Sequence, residues 1–123
     1  RINRLHEVIK GEDPVTGGYY DALDHEQLLW VHACLQISSI YFYEKTVKKL
    51  SEEEKNKYHN ENMIAAEMVL IDKTKMPQTH DDLKRWVIKK SKEIENVSKH
   101  IGNTKIIKNI YIKNKLVNFI TKK

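Results

Sequence analysis

At 123 residues the chain is long enough for one domain or for part of one. It has no apolar run of about 18 residues, so no membrane-spanning helix is expected, and its lone Cys34 excludes an internal disulfide bond and weakly favours a reducing compartment. The net charge of +5 conceals a division: residues 1–83 carry 10 Lys/Arg against 15 Asp/Glu, whereas residues 84–123 carry 12 against 2. An acidic body is therefore expected to carry a basic tail, which can attract nucleic acid or anionic lipid but is more often a solvated face.

The first ten residues, RINRLHEVIK, predict a helix that Gly11 ends. Its apolar face would consist of Ile2, Leu5, His6 and Ile9. Because the chain opens inside this predicted helix and without a methionine, we expect a fragment whose N-terminal part is missing. The glycines and proline of GEDPVTGGYYDAL then predict a loop.

Three capping signals predict three longer helices, which cover about 24–49, 51–70 and 79–100. Their N-caps are Asp24, Ser51 and Thr79, and the residues three positions later are Gln27, Glu54 and Asp82. On the first of them, which begins with the stretch around LLWVHACL, the inner face is expected to continue past that stretch. It would hold Leu28, His32, Leu35, Ile40 and Phe42. On the second it is expected to hold Tyr58, Glu61, Ile64, Ala65 and Met68.

Three polar residues fall on these apolar faces, namely His6, His32 and Glu61. A buried imidazole or carboxylate needs a partner, so His32 and Glu61 are expected to hydrogen-bond to each other across two antiparallel helices. The pair could be purely structural or part of a site. Cys34 is better explained as a small buried residue than as a nucleophile. The remaining histidines are expected at the surface: His25, His59, His80 and His100.

The last segment, residues 101–123, is dominated by Ile, Lys and Asn and contains no His, Asp, Glu or Cys. It therefore offers no metal ligand or general base. Its loose amphipathic pattern predicts a helix that packs with its lysines outward, although the stretch IYIKNKLVNF is ambiguous between helix and strand. The sequence as a whole predicts an all-α fold of about five helices, with residues 1–100 as the body and 101–123 as a basic tail.

Sequence motifs for several common sites are missing. HEQLLWVH begins like the zinc motif HExxH but places its second histidine too late, and there is no Glu-x-x-His, Walker loop or GxGxxG. The residues alone therefore leave two hypotheses open. One is a site around His6, His32 and Glu61. The other is a small helical interaction module whose basic tail binds an acidic partner or a membrane surface.

Four blocks of sequence resemble the latex-clearing-protein (rubber oxygenase) family, which in turn resembles the membrane-bound oxygenase of mycophenolic acid biosynthesis. In family order they are RLHEVIKG, GGYYDALDHEQLLWVHACLQIS, LSEEEKNKYHNE and MPQTHDDLKRW. The pattern G-x-Y-x-A-x-D-x-E-x-L-x-W-V-H in the second block is the most specific. The resemblance covers residues 1–87 and fades beyond them.

This resemblance implies that residues 1–100 are the C-terminal portion of a catalytic domain. That domain would be helical and globin-like, would hold haem b and would oxidise a hydrophobic, isoprenoid-type substrate with O2. By position, His6 falls on the proximal haem-iron ligand. An arginine often lies three residues before that ligand; here Asn3 stands at that place, which leaves Arg4 as the cofactor-binding candidate. His32 and Glu61 fall on the histidine of the WVH motif and the glutamate of the Y-x-x-E motif, and are the catalytic or pocket candidates.

The resemblance also limits what this chain is expected to do alone. The family's distal-side arginine and threonine lie upstream of the block that aligns with Arg1, so the chain would supply about half of the haem pocket and could be inactive by itself. The implied partners are a hydrophobic small molecule and O2, with no specific nucleic acid. A cytoplasmic or membrane-associated location is expected, with the membrane surface left as a possible partner.

Overall fold

A computed structural model describes residues 2–94, 98, 99, 101, 105–112 and 115–122. In this part of the chain the order of elements is a short helix, a β-hairpin, three longer helices and a second β-hairpin. Their bounds are α1 Ile2–His6, β1 Lys10–Glu12, β2 Tyr19–Asp21, α2 His25–Thr46, α3 Glu52–Met68, a 3-10 turn Lys73–Lys75, α4 His80–Glu93, β3 Lys105–Ile112 and β4 Lys115–Lys122. The described chain is mostly helical, as predicted.

The N-terminal segment forms less helix than its pattern predicted, because α1 has only five residues. The predicted loop instead contains β1 and β2, which pair antiparallel with Gly11 opposite Tyr20. Asp13 organises the turn between them: its carboxylate accepts hydrogen bonds from the Val15 amide at 2.8 Å and the Thr16 hydroxyl at 2.7 Å. Gly17 takes the left-handed conformation of this turn, with φ of +68°.

All three predicted N-caps are confirmed by hydrogen bonds to the amide three residues later. The Asp24 carboxylate accepts from the Gln27 amide at 2.9 Å, and the Thr79 hydroxyl accepts from the Asp82 amide at 3.0 Å. Ser51 forms a complete capping box, because the side chain of Glu54 also accepts from the Ser51 amide. These local bonds satisfy amides that the first turn of a helix leaves without partners.

The core of the described chain lies where α2, α3 and α4 pack together. One cluster of buried side chains consists of Leu29, Ala66, Ile71 and Met76. A second consists of Ala33, Ile37, Leu83 and Val87. Trp86 is partly buried against both clusters and contacts Trp30 in a tilted arrangement with ring centroids 6.2 Å apart, so it joins the two into one apolar interior.

The inner faces of α2 and α3 are rotated by one residue from the predicted faces. On α2 the predicted Ile40 is buried, but so are Leu29 and Ala33, whereas Leu35 and Phe42 are exposed. On α3 the buried residues are His59 and Ala66, and Ala65, the neighbour of Ala66, is exposed. Small alanines at the contact allow the helix backbones to approach closely, which favours this face over the bulkier one beside it.

The tail is the clearest correction to the predicted fold. The helix predicted for the tail is wrong over residues 105–112 and 115–122, because β3 and β4 form an antiparallel hairpin with Ile110 opposite Asn118 and Asn109 opposite Phe119. The described residues of the segment that the sequence left ambiguous, 110–112 and 115–119, thus lie in strands, in keeping with its β-branched and aromatic residues. Within the described residues, no helix has the length and apolarity that crossing a bilayer requires.

Candidate active site

His6 is the last residue of α1, and its side chain is half-buried. None of the described residues hydrogen-bonds its imidazole. The predicted apolar neighbours Ile2 and Leu5 are exposed, so the apolar face of α1 points away from the described core. Arg4 is exposed on the same helix.

Among the described residues, one side-chain hydrogen bond holds α1 against the end of α3. The Asn3 amide donates from Nδ2 to the carbonyl oxygen of Met68 at 3.2 Å. The other amide atom of Asn3, Oδ1, is buried and has no hydrogen-bond partner among the described residues. This hydrogen bond of Asn3 therefore helps to fix the position of α1, and with it His6, on the helical body.

His32 is half-buried on α2, and its Nε2 is buried without a partner in the described part of the chain. Burial lowers the pKa of the imidazole below its usual range, and the nearby His59 lowers it further. A hydrogen bond with the backbone of Asn62 acts in the opposite direction on that pKa. His32 is therefore a neutral imidazole at neutral pH.

The predicted hydrogen bond between His32 and Glu61 is wrong. Glu61 is exposed and lines an open surface groove together with Asn60 and Ile64. Successive residues of a helix differ by about 100° in direction, so the one-residue rotation of α3 places Asn62, not Glu61, against His32.

Sequence reasoning missed the most buried polar residue, His59, which was expected at the surface. It is 0 % exposed. Its Nδ1 lies 2.8 Å from Nε2 of the buried Gln36 on α2, and its Nε2 lies 2.8 Å from the carbonyl oxygen of Pro77. Burial lowers the pKa of His59. No sequence signal marks this residue, because its partners lie 23 and 18 positions away.

The surface assignment of His80 is also wrong, since it is only 3 % exposed at the start of α4. Burial, reinforced by the charges of Lys84 and Lys55, lowers the pKa of His80 to about 4. Its backbone amide donates to Oδ1 of Asn56 at 3.0 Å, which ties α4 to α3.

His25 is half-buried and accepts from the Asp72 amide at 3.2 Å through Nε2. His100 lies outside the described residues.

Cys34 is half-buried, and burial raises the pKa of its thiol to about 11. Almost no thiolate is present at neutral pH, which agrees with a packing role. In the described ranges, no three His, Cys, Asp or Glu side chains converge as a multidentate metal site would require.

Comparison with protein families places most of the chain in a known family. Residues 1–101 match the family described as ER-bound oxygenase mpaB/B'/Rubber oxygenase, catalytic domain. The chain therefore belongs to this family of oxygenase-type catalytic domains. No curated protein and no solved structure matches it significantly.

Proposed function

We propose that this chain is part of a haem b-dependent oxygenase that acts with O2 on a hydrophobic, isoprenoid-type substrate. Its membership of the oxygenase family supports the reaction class. The observation that carries the cofactor proposal is the His6 imidazole, which is half-buried, has no hydrogen-bond partner among the described residues and lies beside exposed apolar side chains.

The residues present fit one wall of a haem site. His6 offers a nitrogen ligand, and Ile2 and Leu5 offer an exposed apolar surface of the kind that a porphyrin face covers. Arg4 offers an exposed guanidinium, the group best suited to pair with a propionate. When bound, haem would supply the iron that activates O2. Asn3 would fix the position of His6 through its bond to the Met68 carbonyl.

The remaining candidates take different roles in this proposal. His32 would act as a pocket residue, since its buried Nε2 can hydrogen-bond to a group that enters the site. Glu61 stays a candidate through the family resemblance alone, because its exposed carboxylate is separated from His32 by the rotation of α3.

Haem titration of the full chain tests the proposal. We expect a Soret band on haem addition, and the His6→Ala variant should lower haem affinity at least about tenfold, roughly 1.4 kcal/mol, because it removes the axial nitrogen. His25→Ala is the control, since His25 bonds to the Asp72 amide instead. Retention of haem with an unaltered spectrum in His6→Ala would contradict the ligand assignment.

The same titration separates the proposal from the interaction-module hypothesis. That hypothesis rests on the excess of basic residues after position 83. It would be favoured if the chain gave no Soret band but bound anionic vesicles in a manner that weakened with salt.

A further inference from the structure

A small cavity lies where α2, α3 and α4 meet, beside the first residue of α4. Its volume is about 150 Å³, which is room for about five water molecules of roughly 30 Å³ each. Ile37 and Ile40 of α2 line its apolar side. The charged and titratable side chains that line it are Glu44 of α2, Lys55 of α3, and His80 and Lys84 of α4. None of these residues belongs to the haem wall proposed around His6.

His80 brings a buried polar group to this cavity. Its side chain is almost fully buried, and its Nδ1 has no hydrogen-bond partner in the described part of the chain. Burial and the charges of Lys84 and Lys55 lower its pKa to about 4, so the ring is neutral at neutral pH and carries one N–H donor. A buried polar group of this kind is stabilised when a bound molecule supplies its hydrogen bond.

The charged groups that line the cavity leave one positive charge in excess, because two ammonium groups face one carboxylate. Lys55 and Glu44 are both largely buried and pair with each other, with Nζ 3.4 Å from Oε1. Lys84 supplies the second ammonium group, and its side chain is 32 % exposed. The other carboxylates close to these lysines, Glu52 and Asp81, belong to side chains that are 67 % and 55 % exposed, so solvent screens their charges. An anion in the cavity would therefore meet a net positive surface that is partly shielded from water.

We propose that this cavity binds a small oxyanion of the size of phosphate, held by the ammonium groups of Lys55 and Lys84 with the imidazole of His80 beside it. Oxygen atoms of such an anion accept hydrogen bonds, and the lysines offer the charge-assisted donors that bind them most strongly. The apolar side formed by Ile37 and Ile40 lowers the local dielectric and strengthens these bonds. The volume suits a single small ion and excludes a nucleotide. A bound anion would bridge α3 and α4, and would stabilise the fold by binding the folded state alone.

Titration of the full chain with inorganic phosphate tests the proposal, at neutral pH, without haem and with the ionic strength held constant by chloride. The imidazole NMR signals of His80 should shift and saturate, whereas those of His25, which does not line the cavity, should hardly move. Lys84→Met should weaken phosphate affinity at least about tenfold, because it removes a charge-assisted hydrogen bond. Lys89→Met removes the same charge from an exposed position of α4 and is the matched control, so its affinity should stay within about twofold of the wild type.

Two results would overturn the proposal. One is a wild-type protein in which His80 shows no saturable shift with phosphate. The other is an equal loss of affinity in Lys84→Met and Lys89→Met, which would show that phosphate responds only to the overall charge of the surface. If Lys84→Met does not fold, Lys84→Gln takes its place, and the wild-type titration still decides. Because haem is not part of this measurement, failure of the haem proposal at His6 would show separately.

Discussion

Gln36 on α2 and His59 on α3 are in direct contact at 2.8 Å inside the core, where neither side chain reaches solvent to a meaningful extent. Burying an amide and an imidazole is unfavourable unless each finds a partner. Here Gln36 and His59 hydrogen-bond to each other, and the second ring nitrogen of His59 hydrogen-bonds to the Pro77 carbonyl. The contact therefore fixes which faces of the two helices meet.

Removal of this partner should destabilise the fold. Gln36→Leu leaves Nδ1 of the fully buried His59 without a donor, so we expect the free energy of unfolding to fall by about 1–3 kcal/mol. Urea denaturation followed by circular dichroism measures this. Gln27→Leu on the exposed face should change it by no more than about 0.5 kcal/mol. Equal stability of the two variants would argue against a structural role for the contact.

Stability should depend on pH through the buried histidines. Burial lowers the pKa of His32, His59 and His80, and that of His80 to about 4. An unfolded histidine titrates near 6.5, so below that pH the unfolded state binds more protons than the folded state. The stabilisation is therefore complete above about pH 6.5 and is lost as the pH falls towards 4.

For His80, which is almost fully buried, the loss is on the order of 3 kcal/mol. Its pKa is also lowered by Lys84, Lys55 and His59 and raised by Glu52. Urea titrations between about pH 4 and 7.5 would measure the slope. His80→Phe, which cannot titrate, should make that slope shallower. An identical slope in wild type and variant would show that another group controls the acid sensitivity.

Leu70 offers a stabilising substitution. It follows α3 with φ of +65°, a left-handed conformation that costs a residue with a Cβ about 1–2 kcal/mol, and its side chain is 54 % exposed. Leu70→Gly should therefore raise the free energy of unfolding by about 1 kcal/mol and the melting temperature by a few degrees. Ile64→Gly, at an exposed position inside α3, is the control of opposite sign and should lower stability by about 1 kcal/mol. A destabilised Leu70→Gly would mean that the leucine contributes more through packing than it costs in strain.

Deletion of residues 105–123 should leave the helical body folded. β3 and β4 pair with each other, and every side chain that the structure describes as buried lies between Leu29 and Ser91. We expect the cooperative urea transition of the truncated chain to differ from that of the full chain by no more than about 0.5 kcal/mol. Loss of the cooperative transition would show that the hairpin contributes to the core.

The local features of the helices and the family could both be predicted from the sequence. The three caps at Asp24, Ser51 and Thr79 depend on atoms three residues apart, so a short stretch of sequence is sufficient to specify them. The blocks that resemble the rubber oxygenases were likewise readable, and the family match over residues 1–101 confirms them.

The tertiary structure alone decided which helix faces meet, which histidines are buried and what the tail forms. α2 carries adjacent Leu28 and Leu29, so two stripes about 100° apart could each have faced the core, and packing selected the one with the smaller residues. That rotation separated His32 from Glu61 and buried His59 against Gln36. The tail forms strands because the backbone groups of each strand hydrogen-bond to those of the other strand. This pairing joins two separate segments, so the spacing of apolar residues within either segment does not reveal it.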